Sequence, residues 1–464
     1  MGKTVLLQPV PRHGGSHDVA QTRRPHHSLA GECRFPSPLQ LGAASGEYHG
    51  EFMSDAAKVR FHVELERLEG RPDDLFFERA GPRERLFFDP SKVKAAIVTC
   101  GGLCPGINNV IRSVFLSLKY NYGVPEVYGI RYGYRGLNPA YGDGFIRLTH
   151  EMVENIHLHG GTFLGSSRGP QPVEVMLDTL ADRGIDMLFC VGGDGTQRGA
   201  DALAQAARRR NLPLAVVGIP KTIDNDIPYV FRSFGYGTAV EKAREVIAGA
   251  HAEAKGAPNG IVIVKLMGRN AGFIAAGATT ASQEVNFAFI PELPFDLDPP
   301  NGFLAHLETR VLQRGHAVIV VAEGAGQHLF GNLPVERDAS GNIKHHDIGT
   351  YLRDRIIAYF RERRIEANVK YIDPSYLIRS VPANCDDAQL SDRFARYAVH
   401  AAMAGKTDLL IGYWHGLFVH VPMHLVTSQK KHLSPKSSLW LSVLAATGQP
   451  VLMVNEPVPE TTAS

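Results

Sequence analysis

The chain has 464 residues, 44% of them apolar and 21% charged, which is too long for one ordinary domain and typical of a globular protein with a large core. A formal net charge of +2 gives no argument for nucleic acid or a membrane surface as partner. The five cysteines (Cys33, Cys100, Cys104, Cys190, Cys385) form no Cys-x-x-Cys pair and no disulfide ladder, so they predict thiols in a reducing compartment. The longest apolar runs are too short to span a membrane, and Val5–Leu7 is too short for a signal-peptide core. Met1-Gly2 is not followed by Ser or Thr at position 6, so no myristoylation is expected. The expectation is a cytoplasmic enzyme.

Residues 1–50 are rich in Gly, Pro, His, Ser and Arg without periodicity and predict a disordered tail, its histidines lacking metal-ligand spacing. Residues 51–92 predict an ordered extension with a short amphipathic helix near Ala56–Leu68. From Val93 onward strand, glycine-rich turn and helix alternate. Val93–Thr99, Glu126–Ile130, Ile185–Val191, Leu214–Ile219, Ile261–Leu266 and Ala317–Ala322 are short apolar runs, mostly unbroken, that read as strands of a parallel sheet buried on both faces. The intervening segments are long enough for crossover helices, giving an α/β fold. Residues 429–464 lose the pattern and read as a C-terminal arm.

Ligands of open α/β sheets bind beyond the carboxyl ends of the strands. Glycines or charged residues follow five of these runs. They are Cys100-Gly101-Gly102-Leu103-Cys104-Pro105-Gly106-Ile107-Asn108, Gly192-Gly193-Asp194-Gly195-Thr196, Pro220-Lys221-Thr222-Ile223-Asp224-Asn225-Asp226, Met267-Gly268-Arg269 and Glu323-Gly324. In the second, glycines let backbone amides approach phosphate oxygens, an Ala-rich helix begins, and Asp194 can hold the Mg²⁺ of a nucleotide. No complete Walker A motif exists: Gly405-Lys406-Thr407 has the right ending, but position 400 is His and the stretch reads as a helix end. No Gly-x-Gly-x-x-Gly occurs either, which removes a nicotinamide site.

Asp224 and Asp226 lie two apart, so on an extended segment they share a face. Such a pair shares a metal, splits its pKa values or takes different partners. A carboxylate beside a phosphorylated metal site suits a base toward an attacking alcohol. Lys221 is placed either to stabilise transferring phosphoryl charge or to keep the pair ionised. Arg168 stands among small residues in Gly165-Ser166-Ser167-Arg168-Gly169, Arg269 follows a strand, and Arg379 lies in Tyr376-Leu377-Ile378-Arg379. Several arginines at one cleft suit more than one phosphate group.

Taken in order and spacing over about residues 90–427, these motifs resemble the phosphofructokinase family. Leu103-Cys104, Lys221 and the N-terminal extension resemble its long group, found in plants and trypanosomatids. The resemblance implies two Rossmann-like lobes with the active site between them. Residues 93–235 form a nucleotide-binding lobe completed by about 386–428, and 236–385 a sugar-phosphate-binding lobe. It implies transfer of the ATP γ-phosphoryl group to O1 of fructose 6-phosphate in a homo-oligomer, a dimer or tetramer. Asp224 is then the base, with Asp226, Thr222, Lys221 and Arg269 supporting it and Mg²⁺ on Asp194. ATP lies near Gly102, Tyr134, Arg168, Gly169, Gly193, Asp194, Gly195 and Thr196. Fructose 6-phosphate lies near Thr222, Ile223, Asp224, Met267, Gly268, Arg269, Glu323, Lys370, Tyr376 and Arg379.

Gly195 and Lys221 bear on the donor. Pyrophosphate-dependent relatives carry Asp at the position of Gly195, so Gly favours ATP; they share the Lys, and the long ATP-dependent group combines both. The alternative is a pyrophosphate-dependent fructose-6-phosphate 1-phosphotransferase. The chain departs from short bacterial enzymes at Gly260, where they place a cross-subunit Arg for which Lys265 is a candidate substitute. It departs also at Lys370 (Arg there) and Tyr376 (His there). Kinases of NAD or lipids share Gly-Gly-Asp-Gly-Thr but lack the Thr-Ile-Asp-Asn-Asp and Met-Gly-Arg segments in this register. A non-catalytic paralogue would usually have lost Asp194, Asp224 or Arg269.

Overall fold

A computed structural model describes residues 28–29, 31–41, 43–44, 47–48, 51–63, 76–334, 336–337 and 343–455. All six apolar runs form strands, and they divide between two sheets. The first sheet has nine strands, in the spatial order Phe145–Arg147, Glu126–Ile130, Lys94–Thr99, Met187–Gly192, Ala215–Pro220, Leu409–Trp414, Leu417–Pro422, Phe76–Arg79, Lys58–Arg60. The run from Glu126–Ile130 to Leu409–Trp414 is parallel and the remaining pairings are antiparallel. The second sheet is parallel throughout, in the order Phe287–Phe289, His316–Ala322, Gly260–Leu266, Asn368–Ile372.

Every residue of Met187–Gly192 and Ala215–Pro220 is buried, as continuous apolar runs covered on both faces should be. In the first sheet the order reverses at Lys94–Thr99: the chain goes outward to Glu126–Ile130, then returns to Met187–Gly192 on the other side. That is a topological switch point, where ligands gather at carboxyl ends. The Tyr236–Lys255 helix leads into the second sheet, and the Cys385–Met403 helix leads back, N-capped by the Asn384 side chain on the Asp387 amide at 3.0 Å. Asp387, fully buried, accepts both the amide and the hydroxyl of Thr238 at 2.6 Å, tying the outgoing and returning helices together.

Two expectations need correction. Lys58–Arg60 is a strand on the edge of the first sheet rather than part of a helix over Ala56–Leu68; Val59 is buried between two exposed neighbours, a period of two. Residues 64–68 lie outside the described residues. The extension is therefore part of the first sheet. Residues 1–50 are also not uniformly a free tail: Ser28–Leu29 pairs with Lys406–Thr407 and Phe35–Pro36 with Arg85–Leu86. Edge backbone groups supply partners that the composition of this segment could not provide from its own side chains. The C-terminal segment docks on the second sheet. Its Ser438–Thr447 helix packs on Phe273–Ser282, and Gln449 hydrogen-bonds both backbone groups of Ala288. Gly405, at φ 70°, follows the end of the Cys385–Met403 helix, as read from sequence.

Candidate active site

Register decides which loops meet. Val191 pairs with Thr99 and Gly192 with Pro220, so the segments beginning at Cys100, Gly193 and Lys221 emerge side by side. Backbone bonds fasten them: the Cys100 amide donates to Val191 and the Lys221 amide to Gly192, at 3.0 and 3.1 Å. The Asp194–Arg209 helix starts in the glycine turn without a side-chain cap, so its positive end is left to an anion. A Cβ built on Gly195 would meet nothing nearer than Arg198 Nη2 at 3.8 Å. Tyr134 is buried and donates to the Thr196 carbonyl at 2.7 Å, which places it as a support of this helix's first turn.

The Gly165–Gly169 loop is stitched onto the Gly101 loop: Ser166 Oγ donates to the Gly101 carbonyl at 2.6 Å and the Gly101 amide to Ser167 at 3.1 Å. A Cβ on Gly102 would lie 3.3 Å from Arg379 Nη1 and 3.6 Å from Arg168 Nη2, so both guanidinium groups converge there. Lys221 joins them, buried, with Nζ donating to the Gly102 carbonyl at 2.5 Å. Burial, and then the two arginines, push the Lys221 ammonium below its usual range. Burial and the nearby Arg168 do the same to Arg379, whose Nε is sealed from solvent without a partner. Cations crowded in this way are stabilised by an anion such as phosphate.

Opposite stands the carboxylate pair. Thr222 Oγ1 donates to Asp226 Oδ1 at 2.7 Å and accepts the Asp224 amide at 3.1 Å. Asp224 Oδ1 is sealed from solvent with no partner. Desolvation, then Asp226 and Glu323, raise the Asp224 carboxyl well above the carboxylate range, while Arg269 and Arg379 oppose the shift. Desolvation and Asp226 also raise Asp194, against Arg198 and Lys430. Asn225, with φ 55°, holds the turn through its side-chain bonds to Phe231 and Ser233.

In the second sheet Leu266 pairs with Ala322, so Met267–Arg269 and Glu323 emerge together, Arg269 Nε lying 4.0 Å from Glu323. Tyr376 is 74% exposed and lies under the Arg379 guanidinium at 4.9 Å. Ile223, between Thr222 and Asp224 in the chain, is buried. Lys370 stays apart, exposed and paired with Glu253. Gly260 admits no side chain: its Cβ would lie 2.1 Å from the Ala254 carbonyl oxygen. Within the chain the Lys265 ammonium is engaged by Asp347 and Asp373 at 3.1 and 2.9 Å.

Sequence reasoning missed two groups. His345 donates from Nε2 to the Arg269 carbonyl at 3.2 Å, behind the Met267–Arg269 loop. Lys430 and Lys431 come from the arm to the two carboxylate loops. A Lys-Lys pair in an aperiodic segment carries no signal of where it folds back.

A family profile described as phosphofructokinase matches residues 94–402. The chain is 49% identical over 434 residues to the ATP-dependent 6-phosphofructokinase of Borreliella burgdorferi, covering 92% of this chain and 96% of that protein. It is 46% identical to that of Amycolatopsis methanolica (91% and 94%) and 44% identical to ATP-dependent 6-phosphofructokinase 7 of Arabidopsis thaliana (90% and 85%). The fold is similar to a crystal structure of pyrophosphate-dependent phosphofructokinase from Marinobacter aquaeolei, with TM-score 0.65 and 21% identity over 79% of this chain and 93% of that one. This chain belongs to the phosphofructokinase family.

Proposed function

We infer that this protein is an ATP-dependent 6-phosphofructokinase, which phosphorylates O1 of fructose 6-phosphate in glycolysis. The observation that carries the reading is Asp224: a carboxylate oxygen without a partner, between a glycine-loop helix end and the Arg269/Glu323 loops. In this reading Asp224 takes the proton of the sugar hydroxyl, and Thr222 and Asp226 fix its position. Lys221, Arg168 and Arg379 balance phosphoryl charge, and Arg269 with Met267, Gly268, Glu323 and Tyr376 seats the sugar phosphate.

Mg²⁺ fits Asp194, because a carboxyl raised by its own burial and by Asp226 is relieved by a cation, and Mg²⁺ takes one or two carboxylates plus phosphate oxygens. A Mg²⁺ ion held there would neutralise charge on the nucleotide phosphates. Open space at Gly195 supports ATP over pyrophosphate, with ATP along Gly102, Arg168, Gly169 and Gly193–Thr196.

The five free thiols support a cytoplasmic setting. Among the described residues no helix is long and apolar enough to cross a membrane. We also propose a homo-oligomer, dimer or tetramer. Exposed Leu158 and Phe163 flank Gly160 in the chain, exposed Tyr376 and Leu377 precede Ser380, and Gly160 sits against the Ser380 carbonyl, which supports an apolar interface there. Light scattering on the purified protein tests that. The function itself is tested by assaying fructose 6-phosphate phosphorylation with Mg-ATP and Mg-pyrophosphate in parallel. Activity with ATP alone is expected, and activity with pyrophosphate alone would overturn the donor.

A further inference from the structure

Residues 429–433 run between the loops of the two sheets and bond to both. On the first-sheet side, the Lys431 amide donates to the Asp226 carbonyl at 3.3 Å, and Lys431 Nζ donates to the Val230 and Phe231 carbonyls at 2.7 and 3.1 Å. Gln429 Nε2 reaches Tyr229 Oη at 2.6 Å. Ser233 Oγ and Asn225 tie the same loop to itself, through Thr222 O at 2.6 Å and Phe231 O at 3.1 Å. The loop that carries Asp224 is thus one block, gripped from outside by Lys431. On the second-sheet side, His432 Nδ1 donates to the Asn270 carbonyl at 2.9 Å. The Leu433 amide donates to Glu292 Oε1 at 2.7 Å, and Glu292 also takes the Gly272 amide at 3.0 and 3.1 Å. The Lys431 ammonium rests 4.9 Å over the Phe273 ring, in the first turn of the helix that follows Met267–Arg269.

We propose that Lys431 is a positioning residue for phosphoryl transfer, holding the Asp224 loop at a fixed distance from the Met267–Arg269 loop. The inference rests on the phosphofructokinase reading. Asp224 and the sugar-phosphate loop stand on different sheets, so the reacting hydroxyl meets its base only if their spacing is set. The clasp ties the Asp226–Phe231 stretch to Asn270, directly after the Met267–Arg269 loop, and to Glu292, and a misplacement of about 1 Å in such a geometry lowers rate by about a hundredfold.

The test compares Lys431→Met, which keeps the apolar stem over Phe273 but loses the donors, with Lys431→Arg, which keeps donors. For each, kcat, both KM values and Tm are measured. Lys431→Met is expected to lower kcat about ten- to a hundredfold with KM for ATP within about twofold, and Lys431→Arg to recover most of it. In an Asp224→Asn background, Lys431→Met should lower the residual kcat little further, because the two act as a unit. An undiminished kcat in Lys431→Met, or a loss that multiplies fully with Asp224→Asn, overturns the proposal. If Lys431→Met does not fold, His432→Ala opens the clasp from the other side and is read by the same criteria. Wild-type protein inert toward fructose 6-phosphate would sink the enzyme assignment instead, leaving a result separate from the clasp.

Discussion

The Thr222 hydroxyl donates to Asp226 Oδ1 at 2.7 Å while accepting the amide of Asp224 at 3.1 Å. One side chain therefore occupies one carboxylate and orients the other, and the two acids, two residues apart, are given different work. Asp226 Oδ1 is engaged, and Asp224 Oδ1 is left without a partner.

Replacing Asp224 by Ser is expected to reduce kcat by about 10² to 10⁴ with little change in KM for ATP, the range for loss of a general base. Steady-state kinetics with fructose 6-phosphate decides it; a loss below tenfold would remove Asp224 from that role.

The pH profile follows from the same environment. A base works deprotonated, and burial, Asp226 and Glu323 raise Asp224. The acid limb of kcat/KM is therefore expected above the ordinary carboxylate range. Asp226→Asn removes a neighbouring negative charge, so it should lower the Asp224 pKa and move that limb to lower pH. A limb that stays in place on this substitution would assign it to another group.

Gly195→Asp should raise KM for ATP by about tenfold or more while Tm changes little. An added side chain finds open space near Arg198, so folding tolerates it, but a second carboxylate beside Asp194 repels phosphate. Unchanged ATP kinetics would remove Gly195 as a determinant of the donor.

Asp387→Ala is expected to destabilise the protein by about 1–3 kcal/mol, since it strands the Thr238 amide and hydroxyl in a buried place. Thermal unfolding measures it, and an unchanged Tm would show that the tie between the two crossing helices is dispensable.

The parallel strands were legible because residues such as those of Ala215–Pro220 are apolar at every position, a pattern set by burial on both faces. The loop chemistry was legible because it follows those strands. Val59 was misread because three residues of period two inside a longer polar stretch cannot be told from one helical turn. Lys431 was invisible because its role depends on a tertiary return to Val230, two hundred residues away, that no local pattern encodes. Lys265 matched an expected position, yet its carboxylate partners Asp347 and Asp373 come from distant segments and use the charge.

The Leu409–Trp414 strand lies against Ala215–Pro220 in the interior of the nine-stranded sheet, although the whole second sheet is encoded between them. During synthesis, all four strands of the second sheet have left the ribosome once Ile372 has, whereas the sheet that bears Asp194 and Asp224 still lacks an interior strand. The half of the protein made first is thus the half finished last. A chain halted before residue 409 would present the Ala215–Pro220 edge bare, open to whatever strand arrives there.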